Sequence, residues 1–334
     1  MKAVLSAGLV IVLTGLALVY SLWEVDLPLL AQRLHDGQYL YTIPFLILLV
    51  LFFWLKILRW ASLLRPLGNY SSTMVLPATM IGFAGNNLLP SHLGELIRGI
   101  VFARNYQLSL SGVFASQFLE RTLDSVAILG WFLISLFFVA QVPEPVKTSV
   151  FFLAILVGSL FFAILFVVLY PKFALRWWLA LSRILPMLSS TKLEVALISV
   201  TKVFATVKSS GRMIMLLANS LIQWGLMLAM LLFSLKIYGV SIDVPTLAIL
   251  LTVISLAVAV PNSPGYFGAM QAAFVFSLTP FGIDEEVAFA ASVFYLLAQW
   301  IPVTLVGLWF FITSGLAVKS IRQDLGKVGS NKSF

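Results

Sequence analysis

The chain is 334 residues long, 61% hydrophobic and only 10% charged, with a mean hydropathy of +1.04. Soluble domains are roughly 45–50% apolar and 25% charged, so this composition excludes a soluble globular protein and describes an integral membrane one. The formal net charge of +8 does not argue for nucleic acid, because the basic residues stand mostly in loops beside apolar runs, where the positive-inside rule accounts for them.

Apolar runs of about 20 residues, enough to cross about 30 Å of hydrocarbon, recur along the chain, so spanning helices are expected and a β-barrel is not. Residues 3–22, preceded by Lys2 and without a small-residue cleavage pattern, predict a retained first span with the N-terminus inside. The loop 24–38 sets Glu24, Asp26 and Asp36 against Arg33 and is expected outside. A second span covers 39–55 or slightly more and ends in Lys56, Arg59 and Arg65, a triplet that marks the inner face.

From 73 to 103 the pattern changes. Two full crossings need about 40 residues and a turn, whereas 31 are present here, broken by Gly82, Gly85, Asn86, Asn87 and Pro90. Two half-length arms fit. The span 114–140 runs from Arg104 to the charge-balanced QVPEPVK, so 73–103 starts and ends inside, as a re-entrant hairpin. Residues 148–170 cross back, and 171–212 hold seven basic residues against Glu194, the strongest inside signal. Within that segment, 191–207 spaces its apolar residues at helical intervals and reads as an amphipathic helix on the inner leaflet, with a solvated basic linker as the alternative.

Residues 213–235 cross outward. The apolar stretch 246–282 is broken by Pro261-Asn262-Ser263-Pro264-Gly265 and followed by Asp284, Glu285 and Glu286. The last span, 287–314, ends inside beside Lys319, Arg322, Lys327 and Lys332, so 246–282 is expected as a second hairpin entering from outside. The expected fold is an all-α polytopic membrane domain, residues 1–318, with a cytoplasmic tail, 319–334. It has about six full spans and two re-entrant hairpins from opposite sides. Span, hairpin and span occur twice with opposite sense, the inverted-repeat topology of transporters.

Two constellations carry chemistry. In the second break, Ser263 suits an N-cap, Pro264 a first helical residue, and Gly265 and Gly268 close backbone approach; a half-helix N-terminus there presents N–H groups to an anion. Pro90 likewise fits a helix start, followed by His92, Glu95 and Arg98. The bland alternative is that Pro and Gly only permit the turns, while Asn86, Asn87 and Asn262 satisfy freed backbone. On the span from 114, Glu120 and Asp124 share a face one turn apart, and Arg121 points about 100° away. Intramembrane charges are costly and are usually paired or functional. Glu95 can pair locally with Arg98, but a joint network of Glu95, Arg98, Glu120, Arg121 and Asp124 is preferred, leaving one arginine partly free for substrate; a purely stabilising cluster is the alternative. The lack of cysteine and the presence of only His35 and His92 argue against disulfides, thiol catalysis and metal centres, and no cofactor is expected.

At these residues the sequence resembles the flippase-like membrane domain family named after the transmembrane region of lysylphosphatidylglycerol synthase. The resemblance rests on Asn87-Leu88-Leu89-Pro90 with Leu93-Gly94-Glu95 and Arg98, on Glu120-Arg121 with Asp124, and on Pro261 with Pro264-Gly265 and Gly268. It implies an inner-membrane protein that moves an anionic or lipid-linked headgroup between leaflets, aminoacylated phosphatidylglycerol in some members and polyprenyl-phosphate sugars in others. His92 stands where an arginine is expected, and Gln271 where a glutamate is expected. No aminoacyl-transferase or sugar-transferase domain follows the last span, so a separate protein is expected to do the synthesis. The leading expectation is a lipid flippase; a headgroup-modifying enzyme using Glu120 or Asp124, and a scaffold for a partner glycosyltransferase, are the alternatives.

Overall fold

The computed structural model describes residues 26–90, 92–136, 210–259 and 264–314, with isolated positions between 152 and 173. The predicted span at 3–22, nearly all of 148–170 and 171–212, Pro261, Asn262, Ser263 and the tail 319–334 lie outside the described residues.

The protein is an all-helical, multi-pass membrane protein, with no strand among the described residues. Helix α1, Leu27–His35, occupies a stretch read from sequence as an outer loop. The Asp26 carboxylate accepts from the Leu29 N–H at 3.1 Å and Pro28 sits in the first turn, so a cap and a proline start it. Next come α2 (Thr42–Leu64), α3 (Ser72–Leu88), α4 (Leu93–Asn105) and α5 (Leu110–Leu136). After the gap follow α6 (Ser210–Lys236), α7 (Val244–Ala259), α8 (Ala269–Leu278) and α9 (Glu285–Thr313). By length and composition α2, α6 and α9 can each cross a membrane. Helix α5, with 27 residues, matches them in length but carries Glu120, Arg121 and Asp124 at its centre.

Each long pair encloses two short helices. With 17, 13, 16 and 10 residues, α3, α4, α7 and α8 are about 15–26 Å long, too short to cross about 30 Å alone. The arms α3 and α4 approach closely through glycine. A Cβ on Gly94 would stand 2.0 Å from the Gly82 carbonyl oxygen and 2.3 Å from the Asn86 nitrogen. Only a bare Cα fits that crossing.

Two helix starts differ from the sequence expectation. Helix α4 begins at Leu93 rather than Pro90, because His92 takes a left-handed conformation (φ 56°) that breaks the helical run. Pro264 opens only a single 3₁₀ turn. Gly265, Tyr266 and Gly268 all have positive φ, so α8 starts at Ala269.

Helix α2 shows how the sequence sorts its faces. Ile43, Ile47, Val50, Trp54 and Leu58 recur at three- to four-residue spacing and are exposed, the stripe expected to face lipid, whereas Phe45, Leu49, Ile57, Trp60 and Leu64 are buried. Its first half joins a core with α6 to α9, and its second half a core with α3 to α5. Lys56 and Arg59 fall near that division.

The packing partners come in exchanged pairs. Helix α3 lies against α9 and α7 against α5; α2 also meets α5, as α6 meets α9; and α2 packs on α6. Exchanging α2 to α5 for α6 to α9 maps α3–α9 onto α7–α5 and α2–α5 onto α6–α9, and leaves α2–α6 as it is.

Candidate functional site: a buried charge cluster beside a cavity

Helix α5 sets the site. Glu120 and Asp124, one turn apart, are 2% and 4% exposed and turn toward α2, where Lys56 and Arg59 also share a face at three-residue spacing. Arg59 Nη1 lies 2.7 Å from Asp124 Oδ1 and donates to Ser220 Oγ at 2.7 Å, while its Nη2 lies 3.4 Å from Glu120 Oε1. Arg98, from α4, pairs with Glu120 Oε2. Its guanidinium carbon is 3.9 Å from the centre of the Trp60 ring, and Trp60 Nε1–H donates to Ser116 Oγ at 3.0 Å. Trp224, from α6, donates its indole N–H to Asp124 Oδ1 at 3.1 Å.

Lys56 is held more loosely. Its Nζ stands 3.2 Å from Glu120 Oε1 and 3.5 Å from Asp124 Oδ2, with the rings of Phe52 and Phe83 each 5.6 Å away. All four carboxylate oxygens of Glu120 and Asp124 thus face a basic side chain, and each acid is paired with at least one arginine, the condition under which such charges can be buried.

Arg121 stands at the edge of this cluster, with Nη1 4.0 Å from Asp124 Oδ2, and grips Glu95 of α4 through Nε (3.3 Å to Oε2) and Nη2. The Arg121 side chain remains 48% exposed. Gln117 donates to the Glu95 carbonyl oxygen at 3.1 Å and fixes the same turn. Glu95 and Arg98, three residues apart, therefore each take a partner on α5.

A cavity of about 200 Å³ opens beside these charges, with Lys56, Arg121 and Asp124 in its wall together with Asn86, Asn87, His92 and Gln299. Phe52, Phe83, Trp224, Tyr266 and Trp300 supply aromatic surface. Asn86 is buried and its Oδ1 has no hydrogen-bond partner. Asn87 donates to Trp300 O at 3.3 Å and Thr304 Oγ1 at 2.9 Å, and Trp300 Nε1–H returns a bond to Asn87 O at 3.2 Å.

His92 joins the two breaks. Its Nε2 is 2.8 Å from Val258 O and its Nδ1 3.3 Å from the Tyr266 hydroxyl. The carbonyl can only accept, so Nε2 carries a proton, and in the neutral ring Nδ1 accepts from Tyr266. Glu95 Oε1 stands 4.0 Å from Nδ1.

The structure therefore brings together Asn86, Asn87, His92, Glu95, Glu120, Arg121 and Asp124. Arg98 is 4% exposed and lies behind Glu120, against Trp60. Pro90 forms the bend before His92. Gly265 lets the second break approach α9; a Cβ there would stand 2.7 Å from Trp300 Nε1. Gln271 accepts the Gly268 N–H at 2.7 Å and so serves as a cap for α8. Ser263 and Asn262 lie outside the described residues.

Sequence reading passed over Lys56 and Arg59, taken as inner-face markers; the structure buries both, at 4% and 1% exposure, and leaves only Arg65 of the triplet exposed. Their three-residue spacing inside a helix that also presents an apolar stripe was the available signal. Trp60, Ser220, Trp224 and Trp300 carried none.

The profile of a family described as "Lysylphosphatidylglycerol synthase TM region" matches residues 5–307. The chain belongs to that family. It is also 26% identical over 251 residues to a UPF0104 membrane protein of Methanocaldococcus jannaschii, an alignment covering 72% of this chain and 98% of the relative. No solved structure matches it. In this member of the lysylphosphatidylglycerol synthase TM-region family, motif residues on α3, α4 and α5 converge with Lys56 and Arg59 of α2 at a cavity that the second break helps to wall.

Proposed function

We propose that the protein is a lipid flippase that moves an anionic phospholipid or a polyprenyl-phosphate-linked lipid between membrane leaflets, and that it does so without modifying the lipid. The observation that carries this reading is the cavity itself, whose wall sets Lys56 and Arg121 against the single acid Asp124 and is otherwise rich in aromatic rings. Such a wall can replace the hydration of a phosphate and accept the adjoining carbons, while acyl or prenyl tails stay in lipid.

In the arrangement we favour, the protein sits in the inner membrane with both termini cytoplasmic. It has six full spans, and the α3–α4 and α7–α8 pairs re-enter from opposite sides to meet at the cavity. The exchanged packing pairs support an inverted repeat, and the short arms support re-entry. Alternating exposure of the cavity to each leaflet would move the headgroup.

Purified protein in liposomes provides the test, with a trace of fluorescent phosphatidylglycerol or polyprenyl-phosphate hexose and a quencher outside. Wild-type protein should accelerate transbilayer movement of at least one probe, and Arg121→Gln should reduce the rate at least tenfold. If wild type leaves both probes in place, or Arg121→Gln moves them at the wild-type rate, the reading fails.

A further inference from the structure

The charged groups around the cavity do not balance. Among the described residues of the cluster and its rim there are three arginines, Arg59, Arg98 and Arg121, and three acids, Glu95, Glu120 and Asp124. Each arginine is bonded to an acid, so the six sum to zero. Lys56 is a seventh charge, 4% exposed, in the cavity wall, and bonded only to carboxylates that already have an arginine. Arginine does not give up its proton in a protein, whereas a lysine ammonium can.

The site then has two electrically neutral states. In one the cavity holds no anion and Lys56 is an amine; in the other Lys56 is an ammonium and a single negative charge sits beside it. The mixed states place an uncompensated charge in low dielectric, which is strongly disfavoured. Resting on the flippase reading above, we propose that Lys56 carries one proton for each monoanionic phosphodiester headgroup the cavity takes up, so that the protein is an electroneutral proton–lipid symporter. The proton comes from water on the side where the headgroup enters and is released to water on the side where it leaves. No bond of the lipid changes.

The other titratable groups facing the cavity do not fill this role. His92 satisfies both ring nitrogens as a neutral imidazole, against Val258 O and the Tyr266 hydroxyl. Glu120 and Asp124 face Lys56 from α5 but are engaged by arginines, and Glu95 is engaged by Arg121. The charge count also sets specificity: a phosphodiester monoanion restores neutrality, whereas a diphosphate does not. Phosphatidylglycerol and a polyprenyl-phosphate hexose share that chemistry.

The test uses the full chain in liposomes, with a trace of either fluorescent lipid and a pH difference of one unit across the membrane. A symporter with one proton per lipid should accumulate the probe about tenfold in the leaflet facing the alkaline side, since one pH unit is worth a factor of ten. An entrapped pH dye should record proton entry with the lipid, and an imposed potassium diffusion potential should have no effect. Lys56→Arg, which keeps the charge and cannot deprotonate, should leave the probe evenly distributed whatever the pH difference. His92→Gln should keep the tenfold ratio at whatever rate it runs.

Movement of either probe that ignores the pH difference, or follows the potential instead, overturns the symport while leaving the flippase reading intact. The same holds if Lys56→Arg retains the tenfold ratio or His92→Gln abolishes it. If Lys56→Arg does not fold, the wild-type dye and potential measurements decide alone. If wild type moves neither probe, both proposals fall.

Discussion

The two helical hairpins occupy equivalent places in the chain and differ in nearly everything that bears on chemistry. The α3–α4 pair is locked at a glycine crossing and sends Glu95 and Arg98 into ion pairs with α5. The α7–α8 pair carries no formally charged residue in its helices; its buried polar side chains, Thr246, Thr252, Gln271 and Ser277, are all neutral, and Gln271 satisfies the Gly268 N–H. One hairpin holds charge in place, and the other supplies wall and neutral hydrogen bonds. The two helix pairs therefore differ in electrostatics, and the site is lopsided: its cations among the described residues stand on α2, α4 and α5.

This contrast can be broken in stages. The largest effect is expected from Gly94→Ala, whose methyl group would overlap the Gly82 carbonyl oxygen; size-exclusion chromatography should show loss of monodisperse protein. Gly211→Ala, with nothing within 4 Å of its Cβ, should elute as wild type. Next comes Glu120→Ala, which strands Arg98 and leaves Arg59 and Lys56 sharing one acid. It should destabilise by about 3–5 kcal/mol, read as a large fall in the thermal midpoint in detergent.

On the neutral hairpin the effects should be smaller. Gln271→Ala leaves a buried N–H at the start of α8 and should cost about 1–2 kcal/mol in the same assay. Tyr266→Phe removes only the hydroxyl that meets His92 and should cost about 0.5–1 kcal/mol. If Gln271→Ala proves as damaging as Glu120→Ala, the division of labour between the hairpins is wrong.

Much of the helical frame was legible from sequence. The arms predicted within 73–103 and 246–282 correspond to α3 with α4 and α7 with α8, because glycine, proline and asparagine punctuate apolar runs too short to cross alone. What sequence did not disclose was decided at a distance. A lysine or arginine near the end of an apolar run looks alike whether it reaches water or a carboxylate 61 to 68 positions away, as Lys56 and Arg59 do. The helix starts after Pro90 and Pro264 were missed for a local reason: left-handed backbone at His92, Tyr266 and the glycines shortens the helices, and His92 and Tyr266 are side chains that seldom adopt it. Helix α1 was missed although Asp26 and Pro28 announce it; the acidic count of that stretch was weighed as topology alone.

The fastening of α3 to α9 also bears on how the protein is made. Asn87 and Trp300 hold each other across 213 positions, and Gly307 has no side chain because Met80 and Ala84 press against it. At about 5–20 residues per second, the ribosome delivers the partner of the first hairpin some 10–40 s after the hairpin itself. During that interval the Asn87 amide and the inner face of α3 lack their final cover. The last of the described helices is thus the one that closes the first hairpin, and a nascent chain halted before Glu285 should stay exposed to the membrane's quality-control proteases.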